Sequence, residues 1–244
     1  MMRLVLAGFA AIGLAAPATA QVRLEVEAGA SFQSRNTVRI PGDTGTRFDM
    51  NRLQGAPSSP VVRVTLDWQV AERHGLRASY QYLRSEGTGQ LPGATRFQNT
   101  VFAAGTATRG NYQFDTWRVT YRYRLLHTEN TSLHVGGTVL VRNAEIRLRQ
   151  GAVSDRRGDV GVVPLIHVAG EWRVTPQLRL MAEVDALGAP AGYAVDAALR
   201  GAYAINRNWE VTASYRFLDG GADNRRVFNF ASFHSLTAGL AYRF

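Results

Sequence analysis

The chain has 244 residues, of which 19% are charged and 45% hydrophobic, and its mean hydropathy is −0.15. It is too polar for a bundle of membrane-spanning helices and too apolar for a disordered chain. It contains no cysteine, which excludes a disulfide framework, a thiolate zinc site and a cysteine nucleophile. The net charge of +9 comes from arginine without any lysine. Nucleic-acid-binding proteins are also basic, but the first residues of this chain indicate export instead.

Residues 1–20 have the pattern of a secretory signal peptide. Arg3 supplies the positive charge, an apolar run follows as far as Pro17, and the small-x-small sequence Ala-Thr-Ala ends at Ala20. The apolar run is shorter than the roughly 20 residues that a membrane-spanning helix needs. We therefore expect cleavage after Ala20 and one mature domain comprising residues 21–244.

Apolar and polar residues alternate along the mature chain with a period of two, which indicates β-strands. In one example, Val62, Val64 and Leu66 alternate with Arg63 and Thr65. Helical spacing of apolar residues is weak throughout. The ten predicted strands lie, in chain order, at residues 23–32, 62–68, 76–82, 117–124, 133–142, 166–172, 178–185, 193–205, 209–217 and 235–244.

The predicted connections alternate between short and long. The short turns lie around residues 71–75, 127–131, 175–177 and 206–208. The connections of the other group lie around residues 34–60, 85–111, 150–159, 188–192 and 219–229, and all but the fourth are long and rich in Gly, Ser, Asp and Arg. Both termini and the short turns thus share one end. This arrangement is typical of membrane barrels with short periplasmic turns and long external loops.

The polar face of the predicted strands carries charges of both signs. A soluble β-protein would expose this face to water, whereas a membrane barrel would turn it inward, where opposite charges pair. The predicted lumen charge network consists of Asp67, Arg118, Arg122, Arg124, Glu171, Arg179, Glu183, Asp196, Arg200, Glu210 and Arg216. Tyr121 and Tyr123 alternate with two of these arginines, which we interpret as a lipid face and a lumen face and not as a nucleic-acid site.

Aromatic residues cluster near the strand ends, as they do at the two interfaces of a membrane. Tyr121, Trp172 and Trp209 lie beside short turns. Tyr80, Phe114, Tyr193, Tyr215 and Phe233, among others, lie nearer the long connections. We expect two aromatic bands that are separated by one hydrocarbon thickness.

The last strand ends in Phe244 and carries Tyr242 and Leu240 on the same face. Together with the export signal and the alternation, this ending resembles that of the bacterial outer-membrane β-barrel proteins. The resemblance covers the chain from Gln21 to Phe244 as an architecture and identifies no particular member. It implies that the barrel-assembly machinery of a Gram-negative bacterium recognises Leu240, Tyr242 and Phe244.

The predicted fold is therefore all-β, a transmembrane antiparallel up-and-down β-barrel of about ten strands, with eight or twelve as alternatives. A barrel of this width that carries inward-facing arginines should be nearly closed. Two features depart from the pattern. Pro164 cannot donate a hydrogen bond within the sixth strand, so we expect the paired part of that strand to start near Pro164 or to contain a bulge there. The apolar residues of the fifth strand change faces after Val141, which predicts a bulge or a hairpin that projects above the membrane.

Arg147, Arg149, Arg156 and Arg157 surround the third long connection. The outer leaflet of such a membrane displays lipopolysaccharide phosphates, with which arginine forms bidentate pairs. We therefore predict lipopolysaccharide binding by these four residues at the barrel rim. The alternative is that they only keep a loop solvated.

Catalysis is the main alternative to a structural or binding role. Outer-membrane barrel enzymes include omptin proteases, with Asp and Asp–His pairs at the rim, and lipid A deacylases, with a His-x-Ser pair. In this sequence His234 follows Ser232 in the reverse order, Asp185 and Asp219 lie near the predicted rim, and His167 is alone on an inward face. No orienting acid can be named for Ser232 and His234, and no two histidines have a metal-ligand spacing.

We therefore predict a non-enzymatic outer-membrane barrel without metal or cofactor. Its role would be envelope integrity, surface interaction or minor solute permeation, with outer-membrane lipid and lipopolysaccharide as partners. A barrel enzyme that modifies lipid A or cleaves proteins is the alternative, and a soluble periplasmic β-protein is the second alternative.

Overall fold

The computed structural model describes residues 21–55 and 58–244, so the predicted signal peptide lies outside the described residues. Within these described ranges, the one helix is α1 (Asn51–Gln54). The strands are β1 (Gln21–Arg39), β2 (Phe48–Asp49), β3 (Ser58–Ala71), β4 (His74–Gln90), β5 (Thr95–Phe97), β6 (Thr100–Phe102), β7 (Ala107–His127), β8 (Thr131–Gln150), β9 (Val153–Arg173), β10 (Leu178–Ala189), β11 (Gly192–Ala204), β12 (Trp209–Asp223) and β13 (Phe228–Arg243). Within the described ranges, no helix has the length and apolarity needed to cross a membrane.

Ten long strands form one closed antiparallel barrel, which confirms the predicted fold. They are β1, β3, β4 and β7–β13, each hydrogen-bonded to the next along the chain. Pairing between β1 and β13 closes the sheet, with Val26 opposite Leu240 and Arg23 opposite Arg243. We call the end with the tight turns and the C-terminus the turn end, and the opposite end the loop end.

The outer face of the barrel is apolar through its central part. Val26, Leu66 and Leu199 point outward and remain 47%, 42% and 61% exposed. Their sequence neighbours Glu25, Thr65 and Arg200 point inward and are buried. A contiguous apolar surface of this kind requires an apolar environment around the barrel.

The aromatic bands are present, with one correction. Tyr121, Trp172 and Trp209 project outward near the turn end and are 44–54% exposed. The sequence analysis assigned Phe114 and Phe233 to the aromatic band near the long connections, but both face the interior. Phe233 is buried against Tyr112, with 5.6 Å between ring centroids, because the interior at the loop end is apolar.

Two connections fold into the mouth of the barrel at the loop end. The segment between β1 and β3 contains α1, and the segment between β4 and β7 forms the β5–β6 hairpin. Backbone hydrogen bonds join the two segments, from Thr46 N to Arg96 O (2.9 Å) and from Gln98 N to Ile40 O (2.8 Å). Together with the upper strands they bury one apolar cluster that includes Ile40, Phe48, Met50, Leu53, Leu83, Phe97, Phe102 and Leu148.

Glycines allow α1 to lie directly against the inner wall. A Cβ atom on Gly87 would come within 2.5 Å of Gln54 Cα, and one on Gly89 within 2.1 Å of Arg52 O. Any larger residue at either position would therefore push the helix away from β4.

The change of parity in the fifth barrel strand, β8, has a simple explanation. The pairing of β8 with β9 is continuous, so no bulge occurs there. Ile146 and Leu148 continue the inward-facing register of Thr138 and enter the apolar cluster. The β8–β9 hairpin extends beyond β10, as the hairpin alternative predicted. The pairing of β9 with β10 begins only at Ile166, two residues after Pro164.

We expect the loop end to face the cell exterior and the turn end to face the periplasm. A cysteine introduced at Ala152, at the tip of the β8–β9 hairpin, should react with a membrane-impermeant thiol reagent in intact cells. A cysteine at Asn130, in the β7–β8 turn, should react only after permeabilisation. Labelling is specific because the chain has no cysteine of its own. The reverse pattern would contradict this orientation.

Candidate functional site

A layer of ion pairs crosses the middle of the lumen. Arg118 of β7 donates to Asp196 of β11, and to Asp185 of β10 at 3.3 Å. Arg216 of β12 donates to the same Asp196 and, at 2.7 Å, to Glu183. All of these side chains are at least 89% buried. The layer therefore joins four strands across the interior. We call this set of ion pairs the sealing layer.

The sequence analysis missed the contribution of β1 to this network. Arg200 does not pair with the predicted carboxylates but donates to Glu25 (2.9 Å) and Glu27 (3.3 Å). Glu27 also accepts hydrogen bonds from Ser214 and Thr237, at 2.7 and 3.0 Å. Both glutamates were visible on the polar face of β1, but only the closure of β1 against β13 brings them opposite β11 and β12.

A second group of charges lies nearer the turn end. Asp67 accepts from Arg122 and Arg77, both at 2.8 Å. Glu210 accepts from Arg179 at 2.6 Å and from Arg23 at 2.9 Å. These residues line a cavity of about 360 Å³ that opens at the turn end.

The remaining predicted lumen residues also lie in the turn-end cavity. Glu171 accepts from Arg179 at 3.2 Å. Arg124 faces the cavity but forms no ion pair within the described ranges. Arg23 and Arg77, which the prediction omitted, pair with several carboxylates. The sequence did not reveal this, because the number of carboxylates near an arginine depends on the register of the neighbouring strands.

The lumen also contains a His–Asp pair that the sequence analysis separated. His167 Nδ1 lies 2.8 Å from Asp185 Oδ1, and Thr138 donates to the same oxygen at 2.7 Å. His167 is therefore not alone, and Asp185 lies in the lumen and not at the rim. Both side chains are buried, so a polypeptide substrate has no access to this pair. Within residues 21–55 and 58–244, no cluster of three metal-ligating side chains occurs.

A separate cavity of about 590 Å³ lies at the loop end, beside the apolar cluster. It shares no lining residue with the turn-end cavity. Glu27, Arg63, Glu183, Arg200 and Arg216 lie between the two and line neither. The sealing layer thus divides the interior into two compartments.

The four arginines predicted at the rim do not form one cluster. Arg147, Arg149 and Arg156 share the outer face of the β8–β9 hairpin, where Arg147 lies opposite Arg156. Arg157 lies on the inner face and lines the loop-end cavity. The separation follows from strand geometry, since adjacent residues of a strand point to opposite faces.

Ser232 and His234, which the sequence analysis considered under the catalytic alternative, do not contact each other through their side chains. Ser232 donates instead to Asp219, which also accepts from Tyr193 at 2.8 Å. His234 Nε2 lies 3.1 Å from Oγ of Ser34, and His234 Nδ1 lies 2.7 Å from the hydroxyl of Tyr215. Ser34 is the extra residue of a β-bulge between Gln33 and Arg35, and this bulge brings its hydroxyl within reach of His234, a feature that the strand pattern did not predict.

The C-terminal residues lie on the outer surface at the turn end. Leu240 and Phe244 are 52% and 71% exposed, and the Tyr242 ring contacts Trp209 with 4.9 Å between centroids. Leu240 and Tyr242 belong to β13, which closes the barrel by pairing with β1.

No protein-family model and no curated protein matches the chain. Solved structures do match it. The outer membrane protease OmpT from Escherichia coli is 11% identical, with a TM-score of 0.58, and the match covers 92% of this chain and 97% of that chain. The translocator domain of the autotransporter NalP from Neisseria meningitidis (12% identity, TM-score 0.46, 92% and 88% covered) and Ail of Yersinia pestis (11%, 0.41, 91% and 98%) also match. The chain has the outer-membrane β-barrel fold.

The ion pairs of the sealing layer fill the middle of the lumen, so we expect the loss of one of them to destabilise the barrel and to open its lumen. Replacing Arg216 with Ala removes one of two arginine partners from both Asp196 and Glu183. Loss of a partner from a buried pair costs up to about 3–5 kcal/mol. We expect a lower denaturant midpoint of the barrel in detergent, measured by heat-modifiable gel mobility, and a higher single-channel conductance.

The matched control is Arg207→Ala in the exposed β11–β12 turn, which removes the same charge outside the lumen. Equal midpoints and conductances for the two variants would contradict the role of the sealing layer.

Proposed function

We propose that this protein is a non-enzymatic outer-membrane barrel that binds lipopolysaccharide phosphate on the outer face of the β8–β9 hairpin and thereby supports envelope integrity. The observation that carries the proposal is the position of Arg147, Arg149 and Arg156 together on that face. In this proposal residues 1–20 direct export, and the assembly machinery recognises Leu240, Tyr242 and Phe244 and inserts the barrel in a Gram-negative outer membrane.

The closed interior supports a function at the outer surface. A general porin needs a continuous water-filled lumen, whereas the sealing layer separates the two compartments of this barrel. Ion pairs of Arg118 and Arg216 would have to break before a solute could pass. Minor permeation would therefore require rearrangement, and binding at the surface would not.

The charge balance of the hairpin favours an anionic partner. Glu145 pairs with Arg147 at 3.0 Å and lies 3.6 Å from Arg156. Arg149 forms no ion pair in the part of the chain that the structure describes. Two guanidinium groups thus share one carboxylate and the third has none, which leaves an excess of positive charge on this face. Guanidinium groups form bidentate hydrogen bonds with phosphate.

A second candidate function, hydrolysis of an outer-leaflet lipid ester, is favoured by the Ser34–His234 contact. A serine becomes nucleophilic when a base lies within hydrogen-bond reach and a third group orients that base. His234 meets the first condition at 3.1 Å, and Tyr215 holds its other ring nitrogen. Tyr215 lacks the charge of a carboxylate, and this is why we rank catalysis second. The name of OmpT suggests proteolysis, but Asp219 and His234 make no contact that would support it here.

The lipopolysaccharide proposal predicts a loss of bound lipid when the three arginines are removed. The triple variant Arg147→Gln, Arg149→Gln, Arg156→Gln should co-purify about tenfold less lipopolysaccharide, because each lost charge-assisted contact weakens binding. The remaining binding should depend less on salt than that of the unchanged protein.

The control replaces Arg73, Arg173 and Arg207 with Gln, which removes the same charge at the turn end. An equal amount of bound lipopolysaccharide in both triple variants, at low and high salt, would show that the hairpin arginines only keep the surface solvated.

The hydrolysis candidate predicts that Ser34 is required and Ser232 is not. Expression of the unchanged protein should alter the mass profile of lipid A or phospholipids, Ser34→Ala should abolish the change, and Ser232→Ala should preserve it. An unaltered lipid profile with the unchanged protein would eliminate this candidate and leave the binding proposal intact.

A further inference from the structure

The wall of the barrel is incomplete between β9 and β10 at the loop end. β9 pairs with β8 from Val153 to Trp172, but with β10 only from Ile166 to Arg173. β10 ends at Ala189 and returns as β11. Residues 153–165 therefore have no strand partner on the β10 side, and we call this opening the wall gap.

The composition of β9 along the wall gap disfavours the addition of another strand. Pro164 lacks a backbone N–H, and Gly158 and Gly161 weaken the strand conformation. Charged side chains of Asp155 and Arg157 point inward along the same segment. Proline and inward-facing charges are features that protect sheet edges from pairing with a second chain. A small ligand is therefore a better occupant than a strand.

The wall gap opens into the loop-end cavity. Val163 and Leu165 line the cavity from the inner face of β9. Val162 and Pro164, which point to the outer face of the same strand, also line it. Both faces of one strand can border a single cavity only where its edge is exposed to that cavity. The loop-end cavity is thus continuous with the outer surface of the barrel.

The wall gap begins within the apolar band of the outer face. Ile166 and Val162 point outward and are 62% and 67% exposed. Across the gap, Tyr193 belongs to the aromatic band of the loop end and is 38% exposed. Acyl chains of the outer leaflet therefore reach the edge of β9 at this level.

Two arginines of the cavity have no carboxylate partner. Arg142 pairs with Asp159 at 2.7 Å, and the other acidic residues of the lining are paired as well. Arg157 and Arg226 also line the cavity and form no ion pair with any described residue. The cavity therefore combines an apolar wall with an excess of positive charge.

We propose that the loop-end cavity binds a free long-chain fatty acid that enters through the wall gap. Its chain would contact Leu140, Leu165 and Leu187, and its carboxylate would pair with Arg157 and Arg226. The volume of about 590 Å³ lies within the roughly 300–1,000 Å³ of small-molecule sites. It accommodates one chain, whereas a lipopolysaccharide carries several chains and an oligosaccharide. This site is separate from the outer-face arginines of the proposed function.

The test measures binding of labelled palmitate and of palmityl alcohol to the delipidated protein in phosphatidylcholine nanodiscs. Ala189→Trp fills the cavity beside the wall gap and should weaken binding of both ligands about tenfold or more. The double variant Arg157→Gln, Arg226→Gln should weaken binding of palmitate about tenfold and leave binding of the alcohol unchanged, because only palmitate carries a charge for these residues.

Two matched controls accompany these variants. Ala186→Trp adds the same side chain on the outer face of β10, and Arg207→Gln with Arg225→Gln removes the same charge at exposed turns outside the cavity. Both should bind palmitate as the unchanged protein does.

Three results would overturn the proposal. They are equal palmitate affinity of Ala189→Trp and its control, equal loss of palmitate binding in the two arginine double variants, and displacement of palmitate by phosphatidylglycerol added to the nanodiscs. The last result would identify a bilayer phospholipid as the occupant instead of a free fatty acid. None of these results depends on lipopolysaccharide, so they leave the hairpin proposal unaffected.

Discussion

Closure of the hydrogen-bonded sheet is the constraint on which the rest of this structure depends. Backbone N–H and C=O groups in a membrane must pair within the protein, and a sheet meets this condition only when its first and last strands join. Here β1 and β13 pair from Arg23 to Arg39, with one bulge. The exception is the edge of β9 at residues 153–165, which has no strand partner on the β10 side. This edge borders the loop-end cavity and not lipid alone, so its backbone groups are accessible to polar partners other than a strand.

A closed barrel of ten strands encloses a space that side chains must fill, and this barrel fills it in two different ways. At the level of the apolar outer face, the interior contains ion pairs such as Arg216–Asp196 and Arg200–Glu25. Buried charges are costly unless each has a partner, and this explains why several carboxylates here accept from two or three arginines. At the loop end, α1 and the β5–β6 hairpin fill the space with apolar side chains instead.

Strand number, direction and facing followed from the sequence because alternation and connection length are local properties. Partners did not, because register joins residues far apart: Glu25 and Glu27 meet Arg200 only through barrel closure. The inward folding of the first two long connections also escaped prediction, since Gly87 and Gly89 appear in the sequence as ordinary loop glycines. Ser34 faces His234 through a bulge of one residue, and period-two reasoning has no means of locating such an insertion.

The course of β8 shows why the apolar face changes sides without a change of register. Within the membrane the outer face contacts lipid, so Val139 points outward and Thr138 inward. Beyond the membrane the outer face contacts water, and the rule for a soluble barrel applies: Arg147 points outward, and Leu148 inward. The inversion follows Val141, which lies opposite the interfacial Trp117. The position at which the apolar residues of this unbroken strand change from the outer to the inner face thus marks the outer boundary of the apolar band, and the hairpin arginines lie beyond that position.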